Sequence, residues 1–338
     1  MFFTIVIPTY NPRKFLPTML ESITHNDCID DMEVIIADDC STEDFYDIIT
    51  EYRNKLKIRV IYNKEHWGAP LLGRQNGLDN ASGKWVCFAD QDDFWLDNAF
   101  DMVKEYIEKE NCHRYLITDF YEKINENEYV DHIKAMNWTH ANFYEYDFMK
   151  KYNICYPNNI KYCEDIALSV RISCELAKIN EEPCYYPCFT YVWVQRPDSL
   201  SQANGYSSLG YFYKSFPNYI NCTLGHYVYQ YEKNKENVEF SKFIHANVMD
   251  LMFHFYFYFQ GLQCHDHKKL PRKYYSLLNK YLRKYLKLYG LNLKEWLSLC
   301  KINAEQYSHT REICFNQIPF IEEESFYKWI KKIKWYFL

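Results

Sequence analysis

Four short apolar runs, each closed by polar residues, constrain this chain more than any other feature. They are "FFTIVIP" from Phe2, "MEVIIADD" from Met32, "IRVIYN" from Ile58 and "KWVCFAD" from Lys84. The runs are rich in β-branched residues and apolar on both faces, and stretches with helical spacing lie between them, such as Arg13 to Thr24 and Glu43 to Lys55. Strands of that kind alternating with helices require a parallel sheet covered on both sides. Ligands of open α/β sheets bind beyond the carboxyl ends of the strands. Thr9-Tyr10-Asn11, Asp38-Asp39 and Asp90 to Asp93 all follow strand ends, so three polar loops are expected to converge on one crevice.

The third loop, "FADQDDFW", holds three aspartates within four positions. Such a cluster is unfavourable unless a positive group offsets it, and a divalent cation with a preference for hard oxygen ligands is the simplest offset. In an extended stretch Asp90 and Asp92 would share a side while Gln91 points away. The alternative use of such acids is to cap the helix expected after them, and Asp93 suits that role.

These segments make the chain recognisable. "IVIPTYN" (5–11), "VIIADDCSTED" (34–44), "GRQNGLDNASGKWVCFADQDD" (73–93) and "YCEDIALSVR" (162–171), in this order and spacing, resemble the inverting family 2 glycosyltransferases of bacterial surface polysaccharides. The resemblance covers roughly residues 1–200. It implies a GT-A fold, Rossmann-like, with a mostly parallel central sheet flanked by helices. It implies transfer of a sugar from a nucleotide donor, UDP-linked by expectation, to a hydroxyl of a glycan or lipid-linked glycan. By position it points to Pro8, Thr9 and Tyr10 against the nucleotide, Asp39 with Asp38 against the base, and Arg74 on the donor. Asp90 then faces the ribose side, Asp92 binds Mn2+ or Mg2+ with Asp90 beside it, and Asp165 is the catalytic base with Glu164 as its neighbour. Asp165 also has a plain structural use as the cap of "IALSVRI".

The sequence departs from the family's pattern at several positions. Cys40 stands where Gly is common, Gln75 follows Arg74 in place of Asn, and Gln91 replaces a small residue inside the acidic motif, where it would alter the donor pocket. In "QRPDSLS" (195–201) no His stands ahead of the serines; Arg196 is a candidate for the diphosphate, or an ordinary loop arginine. Trp193, with Trp138 and His140, is a candidate acceptor contact. A binding module that kept this fold without its chemistry is the second reading, weakened by the joint presence of Asp39, Asp90, Asp92 and Asp165.

After about residue 205 aromatic-rich helical spacing takes over, giving an expected division into a 1–205 catalytic domain and a 206–338 helical region. Residues 266–338 carry fifteen Lys and Arg against seven Asp and Glu, from chain totals of 39 and 45, so a basic tail follows an acidic body. The final "FYKWIKKIKWYFL" sets Phe326, Trp329, Ile330, Ile333 and Phe337 on one stripe and Lys328, Lys331 and Lys332 opposite it. That pattern suits either an anionic membrane surface or packing on the protein itself. Phe253 to Phe259 is too short to span a bilayer. Nucleic acid is disfavoured as a partner because the body is acidic and no recognition motif occurs. The opening residues show no basic segment followed by a long apolar one, so no secretory leader is expected. The cytoplasm, with peripheral membrane contact, is the expected location. The thirteen cysteines form no paired CxxC motif and are expected to be reduced; Cys184 and Cys188 read as two core residues.

Overall fold

In the computed structural model the four apolar runs become adjacent strands. The structure describes residues 1–157, 160, 161, 163–196 and 217–248, together with 251 and scattered positions between 280 and 292. The chain divides into two compact units, Met1–Ser215 and Phe216–Leu338.

In the first unit, β1 (Phe3–Thr9), β2 (Met32–Asp38), β3 (Ile58–Tyr62) and β4 (Trp85–Phe88) alternate with α1 (Leu16–Thr24), α2 (Tyr46–Tyr52) and α3 (Pro70–Asp79). All three pairings among these strands are parallel, in the order β3-β2-β1-β4. The chain winds outward from β1 to β3 and returns to the other side of β1 for β4. The ends of β1 and β4 therefore form the switch point at which α/β sheets bind ligands. Strand β1 runs through Pro8, which pairs in register with Ala37. Pairing with β4 has ended at Val6 and Phe88, so the missing Pro8 N–H breaks no bond on that side.

The two-residue β5 (Phe94–Trp95) and α4 (Ala99–Lys109) follow, and then β6 (Tyr115–Asn125), β7 (Glu128–His132) and β8 (Asn142–Glu145). Next come α5 (Tyr146–Lys151), α6 (Glu164–Lys178) and β9 (Cys184–Val194). β8 is antiparallel to both β4 and β6, β9 is parallel to β6, β5 is antiparallel to β9, and β7 turns back on β6 as a hairpin. The result is one nine-stranded α/β sheet, parallel in its first half and mixed in its second. Its core is aliphatic under α1 (Ile5, Ile7, Leu20, Ile36) and aromatic farther along, where Phe3, Trp95, Phe100, Phe143 and Tyr191 are all buried.

Helix α3 lies unusually close to the sheet. A Cβ at Gly73 would stand 2.9 Å from the Pro8 Cβ, and one at Gly77 would overlap the Val6 side chain. These two glycines permit the approach and thereby set the position of Arg74 between them.

Cys112, just after α4, and Cys184, at the start of β9, are joined as a disulfide. This corrects the expectation of reduced thiols throughout. The partners are 72 residues apart and meet only because β9 pairs in the sheet beside α4, so no local spacing marks them. Cys188 is free and lies near Met102, not Cys184.

In the second unit, α7 (Leu224–Asn234) buries Leu224, Tyr227 and Val228, and Ile220, Phe240 and Ile244 are buried in the helices at 217–222 and 238–248. The Phe253–Phe259 stretch, most of the basic tail and the amphipathic stripe at 326–337 lie outside the described residues. Among the described residues no helix is long and apolar enough to cross a membrane.

Candidate active site

The three polar loops meet at the switch point and are tied to one another. Asn11, in left-handed backbone, accepts from the Thr42 amide at 2.8 Å, and its own amide donates to Ser41 Oγ at 2.8 Å. The Asp39 amide donates to the Thr9 carbonyl at 2.8 Å. Gln91 spans from the third loop to the first: its Oε1 accepts from the Tyr10 amide at 2.9 Å and its Nε2 donates to the Tyr10 carbonyl at 3.1 Å.

Asp38 and Asp39 are both buried. Asp38 accepts from the Ser41 amide and hydroxyl. Asp39 accepts from Asn63 Nδ2 at 2.7 Å, the Trp67 amide at 2.9 Å and the Gly68 amide at 2.7 Å. It thereby pins the loop ahead of α3, and His66 from that loop packs against the exposed Tyr10 ring, with centroids 4.4 Å apart. Pro8 lies against Gly73 of α3, and the buried Thr9 hydroxyl has no hydrogen-bond partner.

Arg74 is the hinge pin of the site. It is 5% exposed, its two terminal nitrogens reach Asp90 at 2.6 Å and Glu164 at 2.5 Å, and its Nε has no partner. One guanidinium thus joins the end of β4 to the start of α6, segments that are distant in sequence. Burial opposes the charge on Arg74, but the two carboxylates outweigh it and raise its pKa.

The aspartate cluster is a turn, not an extended strand, because the Asp93 amide donates back to the Asp90 carbonyl at 3.2 Å. Asp90 and Asp92 therefore do not share a strand face: Asp90 meets Arg74, and Asp92 accepts from Arg196 Nε at 2.6 Å. Asp93 does not cap α4, whose first residue follows Asn98 with no side-chain cap. Its carboxylate accepts instead from the Tyr191 hydroxyl and the Val194 amide, both at 2.8 Å. Tyr191 in turn accepts from the Asp90 amide at 3.0 Å. β9 is therefore stapled along the acidic turn. Tyr191 is a site residue with no signal in the chain to single it out, since it is one aromatic among several in the β9 segment.

Burial works to raise the Asp90 carboxyl, but Arg74, His140 and Arg196 together hold it below the ordinary aspartate value. Asp92 is raised by burial and by Asp90, against the pull of Arg196. Asp93 is raised well above the ordinary value by burial and by the other two acids. Ligand atoms of Asp90, Asp93 and His140 lie within 4.8 Å of one another. His140 is buried, which lowers its pKa to about 3, so its ring is neutral at physiological pH, and its Nε2 has no partner.

Asp165 stands in the first turn of α6, behind Cys163 as the capping residue, and its Oδ1 accepts from the Ile166 amide at 2.8 Å. Burial, then the neighbouring Glu164, push its carboxyl up to about 7. Glu164 is itself raised by burial, against Arg74. A carboxylate of that pKa can take up a proton near neutral pH. Trp193, Trp138 and His140 come together beside β9, with ring centroids 4.9 Å apart for the two tryptophans and 5.4 Å for Trp138 and His140. Of "QRPDSLS" only Gln195 and Arg196 lie within the described residues. A hollow of about 770 Å³ at the amino end of β2, lined by Asp27, Asp30, Asp101, Lys104 and Glu105, holds no residue of the three polar loops.

The profile of Glycosyl transferase family 2 matches residues 4–164. These residues belong to that family. Poly(ribitol-phosphate) beta-N-acetylglucosaminyltransferase TarS of Staphylococcus aureus (strain MW2) is 25% identical over 201 residues, 55% of this chain and 35% of that protein. The putative teichuronic acid biosynthesis glycosyltransferase TuaG of Bacillus subtilis (strain 168) is 31% identical over 110 residues, 32% of this chain and 43% of that one. The chain thus matches less than half the length of these relatives. The crystal structure of S. aureus TarS 1-349 in complex with UDP superposes with a TM-score of 0.66 at 16% identity, covering 99% of this chain and 91% of that one. At that identity the likeness is one of fold, GT-A.

Within the family 2 domain, the departures have visible structural consequences. Cys40, where the family commonly has Gly, adopts a left-handed φ of 63°, the backbone a glycine takes without strain. Gln91 uses its added length to clamp the Tyr10 backbone. Gln75 donates to Asp79 and accepts from the Tyr156 amide at 2.8 Å, tying α3 to the segment ahead of α6.

Proposed function

We propose that this chain is an inverting glycosyltransferase that moves a sugar from a nucleotide-sugar, UDP-linked, to a hydroxyl of a glycan or lipid-linked glycan. The observation that carries the reading is the Arg74 bridge, which joins the acidic turn to the Glu164-Asp165 segment, with Arg74 and Glu164 buried and Asp90 open to the crevice on one side. An ion triad of this kind is unfavourable as mere packing; it is intelligible as the means of holding a donor-binding turn and a base at a fixed separation.

In this mechanism Pro8, Thr9 and Tyr10 flank the nucleotide, with the Tyr10 and His66 rings against the base. Asp39, with Asp38 beside it, faces the base, and the hydrogen bonds both already accept from the protein hold the loops that shape that end of the pocket. The acceptor oxygen attacks C1 of the donor sugar from the face opposite the diphosphate. The new C–O bond forms as the bond from C1 to the diphosphate oxygen breaks, Asp165 takes the hydroxyl proton, and the nucleoside diphosphate leaves with the electron pair. Glu164 keeps Arg74 and Asp165 in register. Arg196, paired with Asp92, lies where it can turn to a diphosphate oxygen. The acidic turn fits a hard divalent cation, since it gathers three carboxylates and ligand atoms of Asp90 and Asp93 lie within 4.8 Å of each other and of His140. Asp92 with Asp90 would hold Mn2+ or Mg2+ there, the chemistry supplied being Lewis-acid stabilisation of the leaving diphosphate.

The 1–205 segment is proposed as the catalytic domain. The 206–338 region is proposed to bring the enzyme to an acceptor at the inner face of the cytoplasmic membrane, on the strength of its basic, amphipathic sequence. Incubation with Mn2+ and a panel of nucleotide-sugars, with released nucleoside diphosphate as the readout, tests the activity. Silence with every donor, or turnover unchanged in Asp92→Ala, refutes the reading. A chain that stays wholly unbound to anionic vesicles at low salt refutes the membrane part.

A further inference from the structure

The turn at 134–141 and the end of β9 build an aromatic wall that the reaction at C1 does not use. Trp138 and Trp193 are partly exposed, with rings 4.9 Å apart and inclined at 48°. Behind them His140 stacks on Tyr191 at 5.0 Å, which is the ring that holds the acidic turn. The wall is rigid. Asn142 Nδ2 donates to the carbonyls of Trp138 at 2.6 Å and His140 at 3.1 Å, and the Lys134 amide donates to Asp119 at 2.9 Å.

Its other edge adjoins the base helix. Ser169 Oγ lies 3.3 Å from Asn137 Oδ1. Ser169 is four residues after Asp165 and so on the same face of α6. Polar groups border the wall: His132 meets Glu122 at 2.7 Å, and both side chains are partly accessible. Partly exposed indole faces beside a carboxylate–imidazole pair match a pyranose ring, whose axial C–H face stacks on indole while its hydroxyls reach the polar edge. Of the charged groups in and around the wall, Glu122 meets His132, the Arg74 and Arg196 guanidinium groups are already paired to acids, and Lys134 lies over the Tyr185 ring. An anionic polyol phosphate lacks the ring face that stacks on indole.

We infer that Trp138 and Trp193 form the acceptor subsite and that the sugar receiving the transferred residue is an uncharged pyranose. This rests on the glycosyltransferase reading above. Asn137, next to Trp138 in the chain, meets Ser169 on the face of α6 that carries Asp165, so the subsite adjoins the base helix.

The test uses the full chain with Mn2+, the nucleotide-sugar found active, and two acceptor sets, neutral alkyl pyranosides and ribitol-phosphate oligomers. Trp138→Ala and Trp193→Ala are expected to raise the pyranoside KM about 10- to 100-fold. The loss should appear in the pyranoside KM and not in kcat, and Trp138→Phe should restore most of it. An unchanged pyranoside KM in both alanine variants overturns the inference, as does use of ribitol-phosphate oligomers in preference to every neutral pyranoside. Should the alanine variants fail to fold, titration of the intact chain with the pyranosides decides the matter: saturable quenching of tryptophan fluorescence supports the subsite, and a flat response refutes it. That titration needs no turnover. Failure of the activity reading, seen as silence with all donors, is therefore distinct from failure of the subsite.

Discussion

Replacing Asp165 by Asn tests the site on two axes that move in opposite directions. Burial and the adjacent Glu164 raise the Asp165 carboxyl from the ordinary aspartate value of about 3.9 to about 7. The folded protein therefore holds this proton more tightly than the unfolded chain does. The contribution of Asp165 to stability is most favourable below about pH 4, falls as the pH rises toward 7, and is level above that. At about 1.4 kcal/mol per pH unit the full penalty at pH 8 is roughly 4 kcal/mol. Asn keeps the shape and can still accept from the Ile166 amide, but it carries no charge to desolvate. Since Glu164 is part of the cause and relaxes with its neighbour, the expected gain for Asp165→Asn is about 1–2 kcal/mol at pH 8, shrinking toward zero at pH 4.5. The same substitution should lower kcat by about 10²–10⁴-fold if Asp165 is the general base. In the parent enzyme, kcat/KM should climb about ten-fold per pH unit up to about pH 7 and then level off. Urea unfolding followed by fluorescence at the two pH values, beside the pH–rate profile, measures all of this. A variant no more stable than the parent at pH 8 refutes the account of the Asp165 environment, and retained turnover refutes its role as base.

Two further substitutions probe how the site is held. Arg74→Ala leaves the Asp90 and Glu164 carboxylates facing each other without their shared cation; chemical denaturation should show a loss of about 3–5 kcal/mol, and turnover should disappear with it. Gly77→Ala puts a methyl group into the space of Val6 and should cost about 1–3 kcal/mol while displacing α3 enough to raise donor KM; donor KM and stability both at the parent level would show that the close approach of α3 is not needed.

The Arg74 prediction also shows what could be read from the chain alone. Each part of the bridge belongs to a local pattern visible in the sequence: the arginine in "GRQNGL", the aspartate in "FADQDD" and the glutamate in "CEDIAL". Their mutual pairing is not visible, because it depends on α3 crossing β1 through the gap left by Gly73 and Gly77. Asp93 shows the opposite outcome. Its position ahead of a helix reads as a cap, but the partners that satisfy it, Tyr191 and Val194, arrive from a strand about a hundred residues later.

What the sequence by itself determined was everything with a short period or a motif: the four parallel strands, the helices between them, the three loops at their carboxyl ends and the family of residues 4–164. Side chains apolar on both faces can be buried only in a covered parallel sheet, so those elements had no alternative. What only the tertiary structure decided was which charged groups neutralise which, that Cys112 meets Cys184, that Gln91 clamps Tyr10, and that Trp138, His140 and Trp193 form one wall. Each of these joins residues from different elements or loops of the fold. Their energies depend on distance and burial, which follow from the order in which the strands pair and leave no local trace in the chain.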